Sequence, residues 1–128
     1  MSLEKKYIKQ WLHKANENLL VVNRLMKYEI IAKSSICFHC QQASEKFLKA
    51  FLIYNKKELI KTHNIDYLLS ECSKVDKDFK DIDPKNLTDF SVEIRYPGDF
   101  YEPNEKETIE YSGIAAQIKK IVESKIKL

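Results

Sequence analysis

Glycine and proline are scarce in this chain, which has two glycines and three prolines among 128 residues. Both residue types interrupt regular secondary structure, so their scarcity indicates long elements with few breaks and favours helices. Binding loops that hold phosphate groups through several closely spaced glycines are excluded, because two glycines cannot build a P-loop or a dinucleotide fingerprint. The sequence also contains no serine-nucleophile motif and no carboxylate-rich metal cluster.

Cysteine is also limited, and the three present form an odd number that does not suggest a secreted disulfide framework. Cys37 and Cys40 have a CxxC spacing and lie on adjacent turns of a helix, whereas His39 points about 100° away from Cys40. A zinc site would have to recruit Cys72 and a distant histidine. Core cysteines are the better interpretation, and we expect no metal and no cofactor.

The chain has no basic-then-apolar leader and no uninterrupted apolar run near the ~20 residues that span a bilayer. We therefore expect a soluble, reduced, cytoplasmic protein without a membrane partner. Its net charge of +3 is too small to indicate nucleic-acid binding by itself, and only Arg24 and Arg95 are arginines among 22 basic residues.

Apolar residues recur at helical spacing along most of the chain. The pattern predicts helices over residues 4–28, 33–55, 63–73, 84–94 and 105–127, with a charged loop at 75–83 and no strand. Thr62, Asp83 before Pro84, and Asn104 with Glu107 are the predicted start signals. The sequence thus predicts an all-α fold: one domain over residues 1–128, an antiparallel up-and-down bundle of about five helices with a four-helix-bundle core.

The second predicted helix carries a dense polar set beside its apolar stripe, and neighbouring members are three or four residues apart. The set is Gln41, Gln42, Glu45, Lys46 and Lys49. One interpretation places Glu45 and Lys46 in a ligand groove facing Arg95. The alternative is an ion-paired helix edge or a polar strip in a dimer interface.

The segment after the fourth predicted helix contains the other candidate ligand residues. Arg95 has a planar guanidinium suited to phosphate, and the nearby Tyr96 and Tyr101 can stack on a base. Alternatively, Arg95 pairs with Asp99 or Glu93 and the aromatic rings pack on the core.

His63 adds a further candidate at the start of the third predicted helix. A histidine there can contact a ligand phosphate, or it can simply cap and pack at the end of the bundle.

Several of these segments, in this order, resemble the HEPN family (higher eukaryotes and prokaryotes nucleotide-binding). The first-helix residues Trp11, Ala15 and Leu19 look like that family's pattern. Residues 37–50 (CFHCQQASEKFLKA) are similar to its second-helix motif CFxxQQAxEKxLKA. The later landmarks are Thr62–His63, Leu68–Leu69 and Arg95–Tyr96–Pro97.

The resemblance implies a compact helical bundle, often a homodimer, and a frequent partner, a minimal nucleotidyltransferase, in pairs that often act as toxin and antitoxin. Many members of the wider group are metal-independent ribonucleases with an Arg-x4–6-His motif. This chain departs from that motif, because its histidines are His13, His39 and His63 and none follows Arg95.

The leading hypothesis is a non-catalytic module that associates with nucleotides or RNA and works with a minimal nucleotidyltransferase. Its predicted ligand-binding residues are Glu45, Lys46, Lys49, His63, Arg95 and Tyr96, and its predicted interface residues are Gln41 and Gln42. One alternative is a metal-independent endoribonuclease toxin in which Arg95 stabilises the developing charge and Asp99 or Tyr101 replaces the missing histidine. The other is a purely structural dimerisation module.

Overall fold

The computed structural model describes residues 2–92 and 101–128, and this part of the chain contains four α-helices and no strand. The helices are α1 (Leu3–Met26), α2 (Lys33–Tyr54), α3 (Ile65–Val75) and α4 (Glu105–Lys125). Two short 3-10 turns, Lys77–Phe79 and Leu87–Phe90, lie between α3 and α4. The predicted all-α bundle is confirmed, and the three long helices lie within a few residues of their predicted bounds.

Pairs of contacting side chains give the direction of each helix relative to α2. Glu4 near the start of α1 bonds to Lys56 just after α2, and Asn18 bonds to Lys46. These pairs make α1 and α2 an antiparallel hairpin, joined by the short segment 27–32.

In contrast, α4 runs beside α2 in the same direction, so the predicted antiparallel up-and-down order holds for α1 and α2 but is wrong for α2 and α4. Cys37 contacts Thr108 near the start of both helices, and Tyr54 bonds to the backbone of Lys127 near their ends. The chain must therefore return along the bundle before α4 begins. The segment 76–86 makes that return, because Asn86 N bonds to the hydroxyl of Tyr111 near the start of α4.

The short helix α3 also follows the direction of α2. The thiol of Cys72 donates to the carbonyl oxygen of Leu48, and Asp76 at the end of α3 forms an ion pair with Lys125 at the end of α4. The starts of α2, α3 and α4 consequently gather at one end of the molecule. The segment 55–64 makes the first return along the bundle.

The core is built around α2, which contacts α1, α3 and α4. Phe47 and Leu48 in its middle are fully buried, and Phe51 stacks against Phe79 with ring centroids 4.6 Å apart. All three cysteines are fully buried, which confirms the core interpretation. None of the helices in the described part of the chain combines the length and the apolar character needed to cross a membrane.

The predicted cap of the third helix was off by two residues. Asn64 is the N-cap of α3, and its side-chain oxygen accepts a hydrogen bond from Tyr67 N at 2.9 Å. The hydroxyl of Thr62 instead accepts from Asn64 N at 3.1 Å. Threonine and asparagine side chains both accept hydrogen bonds from nearby backbone N–H groups. In this protein Asn64, and not Thr62, begins the helix.

The predicted helix over residues 84–94 is wrong for its described part, where only the 3-10 turn Leu87–Phe90 forms. Lys85 has a φ of 53°, in the left-handed region, so a regular helix cannot begin at Pro84. Asp83 Oδ1 accepts from Lys85 N at 2.9 Å and closes a tight turn. The aspartate that was interpreted as a helix cap therefore directs the chain into a turn.

The predicted start of the last helix is confirmed. Asn104 accepts a hydrogen bond from Glu107 N, and Glu107 accepts one from Asn104 N, which together form a capping box. This arrangement satisfies two N–H groups that have no partner within the helix.

Candidate functional site

Four of the five residues in the polar set of α2 form a hydrogen-bonded cluster with a residue that precedes α3. We call it the Glu45 cluster, and its members are Gln41, Gln42, Glu45, Lys49 and His63. Buried charged groups are costly unless they are paired, and the side chains of Glu45 and Lys49 are each only 7% exposed. The side chain of His63 is 70% exposed, so the cluster joins the interior to the surface.

Glu45 is the centre of this cluster, and both of its carboxylate oxygens accept hydrogen bonds. Oε2 accepts from Lys49 Nζ at 3.0 Å, one helical turn along α2. Oε1 lies 2.8 Å from His63 Nδ1. Because an ionised carboxylate can only accept, this contact assigns the proton to Nδ1 and leaves Nε2 of His63 directed away from Glu45.

Gln41 completes the shell around Glu45 and uses its whole amide in doing so. Its Nε2 donates to Glu45 Oε1 at 3.2 Å and to the backbone oxygen of His63 at 2.9 Å. Its oxygen accepts from Gln42 Nε2 at 2.7 Å. Gln41 is fully buried inside the chain, so only the half-buried Gln42 of the predicted interface pair retains surface that another chain can contact.

The hydrogen bonds decide the protonation of Glu45. Burial alone raises the pKa of this carboxyl group, but donation from His63, Lys49 and Gln41 together outweighs burial and lowers the pKa below its ordinary value. Glu45 is therefore a carboxylate at neutral pH. It acts as an acceptor that orients His63 and Lys49.

Lys46 lies beside the Glu45 cluster on α2 and points toward α1. Its Nζ donates to Asn18 Oδ1 at 2.9 Å, and the amide of Asn18 in turn lies 2.9 Å from Nδ1 of His39. Partial burial lowers the pKa of Lys46. Of the ligand residues predicted on α2, Lys46 thus bonds to α1, whereas Glu45 and Lys49 pair with each other.

An open groove lies beside Lys46 on the surface of α1, with a volume of about 550 Å³ and mostly apolar walls. We call it the Trp11 groove, and its lining residues are Tyr7, Lys9, Gln10, Trp11, His13, Lys14 and Lys46. The rings of Tyr7 and Trp11 meet edge to face with centroids 6.0 Å apart. Lys49 Nζ lies 5.8 Å from the centre of the Trp11 ring, so the Glu45 cluster supports the groove from the interior.

Tyr101 is one of the two candidate bases of the endoribonuclease alternative, and it lies near the start of α4. Its hydroxyl donates a short hydrogen bond to Glu107, which raises the pKa of Tyr101 to about 12. A phenol with that pKa stays protonated near neutral pH and is a poor proton acceptor. The predicted site residues Arg95, Tyr96 and Asp99 lie outside the described residues.

In the described ranges 2–92 and 101–128, no three His, Cys, Asp or Glu side chains are grouped so that they could hold a metal ion. Burial raises the pKa of Cys37 to about 11 and that of Cys72 to about 12, and it raises the pKa of Cys40 further. These thiols therefore remain protonated near neutral pH in the folded protein.

A comparison with protein-family models identifies the chain. The model of the HEPN domain matches residues 8–125. The protein belongs to the HEPN family. This membership places it among modules associated with nucleotides or RNA. Searches of curated proteins and of solved structures gave no match.

The HEPN chain thus brings three of its predicted ligand residues, Glu45, Lys49 and His63, into one cluster and sets Lys46 apart. Trp11 was recognised in the sequence only as a core and family residue, and the groove around it was missed. A usable signal was present, since Tyr7, Trp11 and Lys14 are spaced three or four residues apart on one helix face. The pairing of α1 with α2, which brings Lys46 and Lys49 to that face, requires the fold.

Proposed function

We propose that this HEPN protein is a non-catalytic module that binds a nucleotide or RNA. The observation that carries the proposal is the position of His63, an exposed imidazole held by the buried Glu45 at 2.8 Å. Exposed side chains normally lose conformational entropy when they bind a ligand. His63 is already fixed by its contact with Glu45, so it can donate to or accept from a ligand at a smaller entropic cost.

The same proposal includes two protein partners, a second copy of the chain and a minimal nucleotidyltransferase. It draws on the family resemblance and on Gln42, whose half-buried side chain is the outer member of the Glu45 cluster on α2. The absence of a histidine after Arg95 supports a non-catalytic role, because the family's ribonuclease motif lacks its base in this sequence.

The test is a binding screen of the purified protein against nucleotides and short RNAs, with the molar mass measured in the same buffer. We expect binding to weaken in His63→Ala when it is measured well below the melting temperature, which should itself fall because the buried Glu45 loses a hydrogen bond. Unchanged affinity in His63→Ala removes His63 from the site, and no binding of any ligand contradicts the module's proposed function. The proposed partner is tested by looking for a neighbouring nucleotidyltransferase gene and co-purifying the two gene products.

A second candidate function, a metal-independent endoribonuclease, is favoured by one observation. Glu45 accepts from Nδ1 of His63, which leaves Nε2 free of that bond and able to accept a proton from an RNA 2′-hydroxyl. The 2′-oxygen would then form a bond to phosphorus while the bond to the 5′-oxygen breaks, and that oxygen would take a proton from the imidazolium. The expected products are a 2′,3′-cyclic phosphate and a 5′-hydroxyl.

RNA cleavage in the presence of a chelator separates the two candidates. Cleavage that is lost in both His63→Ala and Glu45→Gln supports the endoribonuclease and contradicts the non-catalytic module. No cleavage by a protein that binds the same RNA supports the binding module.

A further inference from the structure

We infer that the Trp11 groove binds single-stranded RNA, with a base stacked on the aromatic pair and the flanking phosphates on the lysines. This inference rests on the proposed function and names the surface and the ligand class. The groove lies along α1 and reaches Lys46 of α2, and the family match assigns no role to it.

The shape and walls of the groove suit a base. Its volume of about 550 Å³ is within the range of small-ligand sites, about 300–1,000 Å³. Tyr7 is 37% exposed and Trp11 is half-buried, so two aromatic rings are presented to solvent at a fixed edge-to-face angle of 80°. Aromatic side chains of this kind bind single strands by stacking on bases without reading the sequence.

The rim of the groove supplies the complementary charge. Lys9, Lys14 and Lys46 line it, and no aspartate or glutamate lines it among the residues that the structure describes. Glu17 lies close by and pairs with Lys14 at 3.3 Å, but both side chains are more than half exposed, so the pair is weak and a phosphate can replace the carboxylate. Aromatic rings flanked by lysines form the pattern that tracks a charged backbone with unpaired bases.

The interior of the protein holds this surface in place. Lys49 packs against the Trp11 ring and is itself fixed by Glu45, so the ring position is set by a buried ion pair. A fixed aromatic platform loses little conformational freedom when a base stacks on it. This argues for a binding surface that exists before the ligand arrives.

Trp11 is the only tryptophan in the chain, so its fluorescence reports on the groove and on no other site. The probe is a uridine oligonucleotide of about eight residues, within the usual site size of single-strand binding proteins. Anisotropy of a labelled oligonucleotide measures total binding, and Trp11 emission with the unlabelled one measures occupancy of the groove. We expect both signals to change with the same dissociation constant.

Two variants test the two halves of the site. Tyr7→Ala removes a stacking partner, and we expect binding to weaken about 5- to 150-fold. Lys9→Gln with Lys14→Gln removes two phosphate contacts, and the slope of log K against log salt concentration should fall by about 0.7 per contact. All three side chains are exposed, so the fold should be kept.

The matched control is Lys106→Gln with Lys120→Gln, two exposed lysines of α4 that do not line the groove. The control lowers the net charge by the same amount, so it separates a local contact from general attraction. Equal loss of affinity in the control and in the Lys9–Lys14 pair overturns the groove as the RNA site.

The remaining outcomes distinguish this inference from the proposed function. Anisotropy that reports binding while Trp11 emission and the Tyr7→Ala affinity stay unchanged overturns the groove but leaves the RNA-binding module standing. No binding by either signal overturns both. Trp11 emission that changes with protein concentration or with anionic vesicles, and not with the oligonucleotide, shows that a second copy or a lipid surface fills the groove.

Discussion

Glu45 Oε1 and His63 Nδ1 lie 2.8 Å apart, and they join a buried carboxylate in the middle of α2 to an exposed imidazole at the entrance to α3. The two residues are 18 positions apart in the chain, so the contact is tertiary. It fixes the C-terminal end of the return segment 55–64 against α2. The same contact therefore serves both the fold and the candidate site, and variants must be designed to separate the two roles.

Acid stability tests the role of Glu45. Its pKa is lowered in the folded protein, so its contribution to the free energy of unfolding is full above the ordinary glutamate pKa of about 4.3 and is lost as the pH falls below it. We expect Glu45→Gln to be less stable than the wild type at pH 7 and to lose less stability on acidification. Urea unfolding across this pH range measures both effects.

The control for this experiment is Glu58→Gln, which alters an exposed glutamate. Its unfolding curve should follow the wild type at every pH. Parallel pH dependence of the wild type and Glu45→Gln would show that Glu45 does not have a lowered pKa.

Removing Lys49 leaves a buried charge without its main partner. Breaking a buried ion pair from one side typically costs about 3–5 kcal/mol, so we expect Lys49→Met to be strongly destabilising. Adding Glu45→Gln removes the unpaired charge and should recover part of the loss, because Gln still accepts hydrogen bonds from Gln41 and His63. A double-mutant cycle from chemical unfolding gives the coupling, and additive effects would contradict a direct pair.

The cap of α3 can be tested by comparing two neighbouring residues. Asn64→Ala removes the acceptor for Tyr67 N and should lower the free energy of unfolding by about 1 kcal/mol. Thr62→Ala removes a hydrogen bond outside the helix and should cost less. A larger effect for Thr62→Ala would assign the helix start to that residue.

The three cysteines should be unreactive in the folded protein. All are fully buried, and burial raises the pKa of Cys37 to about 11 and of Cys72 to about 12, so almost no thiolate is present near neutral pH. We expect a thiol reagent to modify three groups at once after denaturation and almost none before it. Rapid modification of one thiol in the native protein would indicate an accessible cysteine.

The long helices could be predicted from the sequence because apolar spacing over many turns is a strong signal. Asn104 and Glu107 were equally clear, since a capping box depends on two residues of one segment. The error at Asp83–Pro84 has a local cause: an aspartate bonds as readily to the second following N–H, in a turn, as to the first turn of a helix. The left-handed backbone conformation of Lys85 selects the turn, and a lysine at this position gives no indication of that conformation in the sequence.

The candidate site was predictable only in part, for a different reason. Glu45 and Lys49 are one helical turn apart, so their pairing follows from α2 alone. The contact of Glu45 with His63 and the packing of Lys49 against Trp11 depend on where two other segments dock. Those positions follow from the whole core and cannot be found by inspecting one helix.

The shared direction of α2 and α4 has a consequence for the order in which the protein folds. The contacts between these helices join residues 71 and 73 positions apart, whereas α1 and α2 meet across one short connection. Closing a long loop costs more entropy, so local pairs are expected to form first. The α1–α2 hairpin should therefore assemble early, and α4 should dock last. We expect the amide hydrogens of α4 to exchange through openings of lower free energy than those of α2.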